Sequence, residues 1–125
     1  MIDWQEWAPE ALERARREGK PVLLHLAAPW SIRCREMDRL TYADPGVVSA
    51  MRDFVCVRVD TDRRPDVYNR YQQGGWPTTA FLTPDGEVVF GATYMEPGPL
   101  LQAMSKARES FGDGNGDAAA APEVF

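Results

Sequence analysis

Cys34 carries the most chemistry in this chain. It follows Ser31-Ile32-Arg33, just beyond the apolar run Pro21-Val22-Leu23-Leu24-His25-Leu26-Ala27-Ala28. That pattern reads as a buried strand passing into a helix, with the cysteine in the helix's first turn. A thiolate there is stabilised by unpaired backbone N–H groups and by the helix dipole. Arg33 and Arg35 flank it and add positive potential, although sequence neighbours point to different sides of a helix. Ser31 stands where a Cys-x-x-Cys redox pair has its first sulfur, so half of such a dithiol is missing. Cys34 is then either a reactive monothiol, open to mixed disulfides and sulfenic acid, or a small core residue in the more shielded sulfur position.

Ser31 itself is a natural helix N-cap, its hydroxyl accepting from the N–H of residue 33 or 34. A second reading has that hydroxyl hold the Cys34 thiolate. No hydrolase triad is visible, because His25 is the sole histidine and no acid partner for it can be named. Far along the chain, Gly74-Gly75-Trp76-Pro77-Thr78 precedes another strand. Trp76 is either the wall of a groove there or ordinary core, and Trp30 can shield the turn and expose an aromatic surface. Cys56, between Val55 and Val57, is expected in the core and in no disulfide. One histidine and two separated cysteines have no structural-zinc spacing, so no metal site is expected. Met37, Leu40, Tyr68, Tyr71 and Phe81 suit a core and require no cofactor.

The elements that must position these residues are legible from periodicity and punctuation. A helix over residues 8–18 has Pro9 in its first turn and Gly19 beyond its end. Residues 22–28 form a strand covered on both faces. Residues 32–40 are helical, and 45–52 continue the helix after a break at Asp44-Pro45. Residues 54–60 form a β-branched strand, and a short helix capped by Arg64-Pro65-Asp66 follows over 65–72. A hairpin joins 78–83 to 87–90 through Pro84-Asp85-Gly86, and a last helix spans 99–110. Residues 112–125, rich in glycine, aspartate and alanine, cannot build a core and are expected to be disordered. Strands separated by helices pair in parallel through right-handed crossovers. The expectation is therefore one α/β domain over residues 1–111: a mixed sheet of about four strands, two parallel plus the antiparallel hairpin, with helices on both faces. This is the thioredoxin architecture.

At 125 residues the chain is one domain, and its net charge of −5 presents no basic face, so nucleic-acid binding has no support. The longest apolar stretch is far short of the roughly 20 residues that span a bilayer. The N-terminus lacks the pattern of a secretory signal. With no disulfide framework, a reducing cytoplasm is the expected compartment.

Several linked motifs occur in order: Trp4-Gln5-Glu6-Trp7, Gly19-Lys20-Pro21-Val22, Phe54-Val55-Cys56-Val57-Arg58-Val59-Asp60, Arg64-Pro65-Asp66, Gly74-Gly75-Trp76-Pro77, Phe81-Leu82-Thr83-Pro84-Asp85-Gly86 and Phe90-Gly91-Ala92-Thr93-Tyr94. The set resembles the thioredoxin-like N-terminal domain of the spermatogenesis-associated-protein family, over residues 4–105. That family typically carries Cys-x-x-Cys where this chain has Ser31 and Cys34. The resemblance implies that His25 matches the buried acid beneath a thioredoxin dithiol. There it either accepts the Cys34 proton or stays neutral and hydrogen-bonded to the backbone. It also implies a cis peptide bond at Pro77, beside which an extended peptide can add as a strand.

Two functions follow. In one, Cys34, Ser31 and His25 form an incomplete redox site capable of monothiol chemistry, with glutathione or a partner thiol needed to finish a cycle. In the other, the domain binds a peptide or a partner domain, without catalysis, at a groove formed by Trp30, Trp76 and Pro77.

Overall fold

In the computed structural model, which describes residues 2–113, the chain runs β1 (Trp4–Gln5), α1 (Pro9–Glu18), β2 (Val22–Ala27), α2 (Ile32–Leu40), α3 (Pro45–Ala50), a 3-10 turn (Met51–Asp53), β3 (Val55–Asp60), α4 (Pro65–Tyr71), β4 (Thr78–Leu82), β5 (Val88–Ala92) and α5 (Pro97–Asp113). From residue 114 on, the tail expected to be disordered lies outside the described residues. No described helix is long and apolar enough to cross a membrane.

The strands form one mixed sheet in the order β1-β3-β2-β4-β5. β1 and β2 run parallel to β3, whereas β4 is antiparallel to β2 and β5 to β4. The sheet has five strands rather than about four. The extra one, β1, pairs Trp4 with Cys56 and Gln5 with Val57, and its two residues are too few to show a strand period.

Alternation of side chains sorts the core into two layers. Val22, Leu24 and Leu26 of β2 pack with Val57 of β3 against Ala15 of α1 and Val67 of α4. On the other face Leu23 of β2, Cys56 of β3 and Phe81 of β4 meet Met37 of α2 and Leu100 and Met104 of α5. Because helices cover both faces, β2 needs no polar side, which is why it reads as an almost unbroken apolar run.

Local signals set the helix ends. Gly19 closes α1 in the left-handed region, at φ 68°, where a side chain is strained. Asp44 accepts the Val47 N–H at 3.1 Å through its carboxylate, so α3 starts afresh instead of continuing α2. The Arg64-Pro65-Asp66 motif stands at the start of α4: Arg64 is the N-cap residue, Pro65 opens the helix, and the Arg64 guanidinium pairs with Asp66 at 2.9 Å. One expectation changes. Leu40 is 47% exposed and no part of the core, because it falls on the solvent side of α2's last turn.

This contrast is testable. Phe81 is fully buried between the sheet and α5, so Phe81→Ala should cost about 3–5 kcal/mol in a denaturant titration. Leu40→Ala should stay within about 0.5 kcal/mol of wild type. Equal losses would refute the assignment of the core.

Candidate functional site

β2 brings the chain to the site and α2 carries it away. Ser31, at the junction, has extended backbone angles (φ −86°, ψ 119°), and its hydroxyl oxygen accepts the Cys34 N–H at 3.2 Å. This is N-cap geometry: the side chain satisfies one of the N–H groups that a helix start leaves without a partner. The hydroxyl thus holds the backbone of the cysteine. Cys34 is 3% exposed, yet its side of α2 lines a cleft of about 240 Å³. Arg35 and Asp38 of α2, and Arg58 and Asp60 of β3, line the same cleft.

Both cysteines are free thiols. Cys56 is buried, points its sulfur at the Met51 carbonyl at 3.4 Å, and has its pKa pushed up to about 12 by burial. It is an inert core residue.

His25 is fully buried in β2 and packs against the rings of Trp4 and Tyr42, with centroids at 5.8 and 4.8 Å. Its Nδ1 lies 3.2 Å from the Tyr42 hydroxyl, and its Nε2 has no hydrogen-bond partner among the described residues. Neither ring nitrogen is hydrogen-bonded to Cys34. Burial, and secondarily the Arg58 charge, hold the imidazole pKa down at about 3, so the ring is neutral at physiological pH. Its partner is the Tyr42 phenol, whose own pKa is pushed up by burial, rather than the backbone.

Arg58 is the register partner of His25 on β3. Its guanidinium meets both Asp38 oxygens, at 2.5 and 2.6 Å, and lies 5.2 Å from the centre of the Trp4 ring. The ion pair closes one side of the cleft beside Cys34.

On the opposite side of β2, the Trp76–Pro77 bond before β4 is cis. Pro77 is buried. Trp76 stacks on Tyr68 at 4.3 Å and donates its indole N–H to the Thr61 hydroxyl at 2.8 Å. Trp30 meets Trp76 edge-on at 4.9 Å and donates to Asp62 at 3.1 Å. The two tryptophans are thus brought together, and Trp30 and Ile32 stand out at 57% and 67% exposure.

Sequence reasoning missed Asp38, Tyr42, Arg58 and Asp60. Asp38 is four residues after Cys34, on the same face of α2. Strand alternation in β3 sets Arg58 and Asp60 on the face opposite Val57 and Val59. Both signals were available. Tyr42 had none, since its contact with His25 depends on how the turn after α2 folds back.

His25 ties stability to pH. The folded pKa of about 3 lies below the unfolded value of 6.5, so the unfolded chain takes up a proton that the folded chain does not. The His25 contribution is full above pH 6.5 and is lost as pH falls towards the folded value. Between pH 7 and 5 the loss should be about 2 kcal/mol. Urea titrations should show it in wild type and a flatter profile in His25→Leu; parallel profiles would refute a buried, neutral His25.

Comparison with known proteins places the chain. A family model, Thioredox_DsbH, described as "Protein of unknown function, DUF255", matches residues 1–109. Spermatogenesis-associated protein 20 of Homo sapiens is 33% identical over 105 residues, covering 77% of this chain and 13% of that protein. The thiol:disulfide interchange protein DsbD of Vibrio vulnificus is 28% identical over 104 residues, covering 78% of this chain and 18% of that protein. A thioredoxin from Thermus thermophilus superposes with a TM-score of 0.78 at 26% identity, covering 94% of this chain and 95% of that one. A DsbH oxidoreductase shares the fold, with a TM-score of 0.75 at 18% identity, covering 86% and 85%. The chain spans only 13–14% of the length of the first curated relatives it matches. Because the match runs from the first strand into the last helix, the chain belongs to the Thioredox_DsbH (DUF255) family, and its domain is thioredoxin-like.

Proposed function

We propose that this domain carries out thiol–disulfide exchange through Cys34 alone, forming a mixed disulfide that an outside thiol must resolve. One observation carries the reading: Cys34 keeps the capped first turn of α2 and lines an open cleft, while a hydroxyl occupies position 31. Disulfide reduction by a dithiol needs one sulfur to attack and a second to release the product. Ser31 cannot do either, because an alcohol is not ionised at neutral pH and its oxygen is engaged at the helix cap. Kinship with DsbD, a thiol:disulfide interchange protein, supports chemistry of this class. A reducing compartment such as the cytoplasm suits it, since the small thiols present there supply the resolving step.

A second reading is favoured by the apolar surface at Trp30 and Ile32 beside Trp76. Here an extended peptide of a partner docks next to the Trp76–Pro77 corner and pairs with its backbone. Under that reading Cys34→Ser leaves partner binding intact.

Insulin reduction tests the exchange reading. Wild type should show no turnover beyond background unless a small thiol is added. Ser31→Cys restores the first sulfur and should raise turnover at least tenfold, measured with a reductant that recycles a dithiol. Turnover by wild type without added small thiol would overturn the proposal.

A further inference from the structure

The cleft that Cys34 lines is on the β3 side of β2, whereas Pro77 leads into β4 on the other side. The indoles of Trp76 and Trp30 nevertheless reach Thr61 and Asp62, just past the end of β3, so the aromatic corner stands beside this cleft. At about 240 Å³ the cleft is smaller than the roughly 300–1,000 Å³ of pockets for drug-sized ligands. It is too small for a folded loop of a partner but large enough for a small molecule.

Its charges describe what fits. Arg58 and Asp38 are bound to each other through two contacts and largely cancel. Arg35, which makes no salt bridge among the described residues, and Asp60, one of whose carboxylate oxygens accepts the Asp62 N–H at 3.0 Å, remain on opposite walls, on α2 and β3. A cleft lined by a cysteine, a cation outside any salt bridge and a carboxylate complements a compact ligand that has a carboxylate, an ammonium group and a sulfur of its own.

We infer that this cleft is a binding site for low-molecular-weight zwitterionic disulfides and thiols, which reach Cys34 from the β3 side. The inference rests on the exchange reading and adds its co-substrate class. The Cys34 thiolate attacks one sulfur of the small disulfide; that S–S bond breaks as the Cys34–sulfur bond forms. The other half leaves as a thiolate and takes a proton from solvent, with no net oxidation. A second small thiol then attacks the sulfur of the bound half, releasing a small disulfide and the Cys34 thiolate. Arg35 holds the ligand carboxylate, and Asp60 its ammonium group.

The test measures adduct formation at Cys34 by intact-mass and peptide mass spectrometry. Two probes are compared at equal concentration: cystine, which is compact and zwitterionic, and bis(2-hydroxyethyl) disulfide, which is uncharged. Folded wild type should form the cysteine adduct at least tenfold faster relative to the uncharged probe than the urea-unfolded chain does. Arg35→Glu should abolish most of that preference, and Cys34→Ser should give no adduct. If folded Cys34 reacts with both probes but without preference, or if Arg35→Glu leaves the ratio unchanged, the binding site is refuted while the exchange reading stands. If folded Cys34 reacts with neither probe although the unfolded chain does, the exchange reading falls and takes the site with it.

Discussion

Pairing of β2 on both edges is the constraint from which the site follows. From Val22 to Leu26 it is bonded to β3 in parallel and to β4 antiparallel, and both of its faces are covered by helices. A strand held in this way cannot shift register without turning its apolar set to the wrong face, and here both faces are core. The point at which the chain leaves the sheet is thus fixed. So is the start of α2, because the Ser31 hydroxyl closes the helix within four residues of the strand's end. Cys34 inherits its position from this arrangement and not from any bond to its sulfur.

Under the same strand, the electrostatics are arranged to avoid a buried charge. In a dithiol site a buried base has a task, which is to take the proton of the resolving thiol. With one sulfur that task disappears, and a neutral imidazole held by Tyr42 fills the space without an ion to desolvate. Charge lies further out, at Arg58 and Asp38, which are partly exposed at the edge of the cleft. There, water and the ion pair share the work of solvation. The cation also disfavours protonation of His25, so the neutral ring and the ion pair reinforce each other.

What the sequence reveals and what it conceals divide along the range of the interactions. The cap at Ser31, the end of α1 at Gly19 and the alternation in β3 are set within a few residues, and all could be read from the chain. Membership in a thioredoxin-like family was legible too, because its motifs are spread through the elements in order. β1 was not, since two residues have no period and become a strand only by pairing with Cys56 and Val57. The contact of His25 with Tyr42 and that of Arg58 with Asp38 join residues 17 and 20 apart. Neither partner announces the other until α2 is laid across the sheet.

Placement of α2 also decides what surrounds the one sulfur. The Cys34 side of α2 faces the end of β3, so the cleft beside it is walled by Arg58 and Asp60 as well as by Arg35 and Asp38. Trp30 and Trp76 stand next to the same end of the sheet, because their indoles bond to Asp62 and Thr61 just past β3. The charged cleft and the aromatic corner therefore share one edge of the molecule, and it is α2 that turns the cysteine towards the charged part. Under the exchange reading, the resolving sulfur has to arrive from solution through that part.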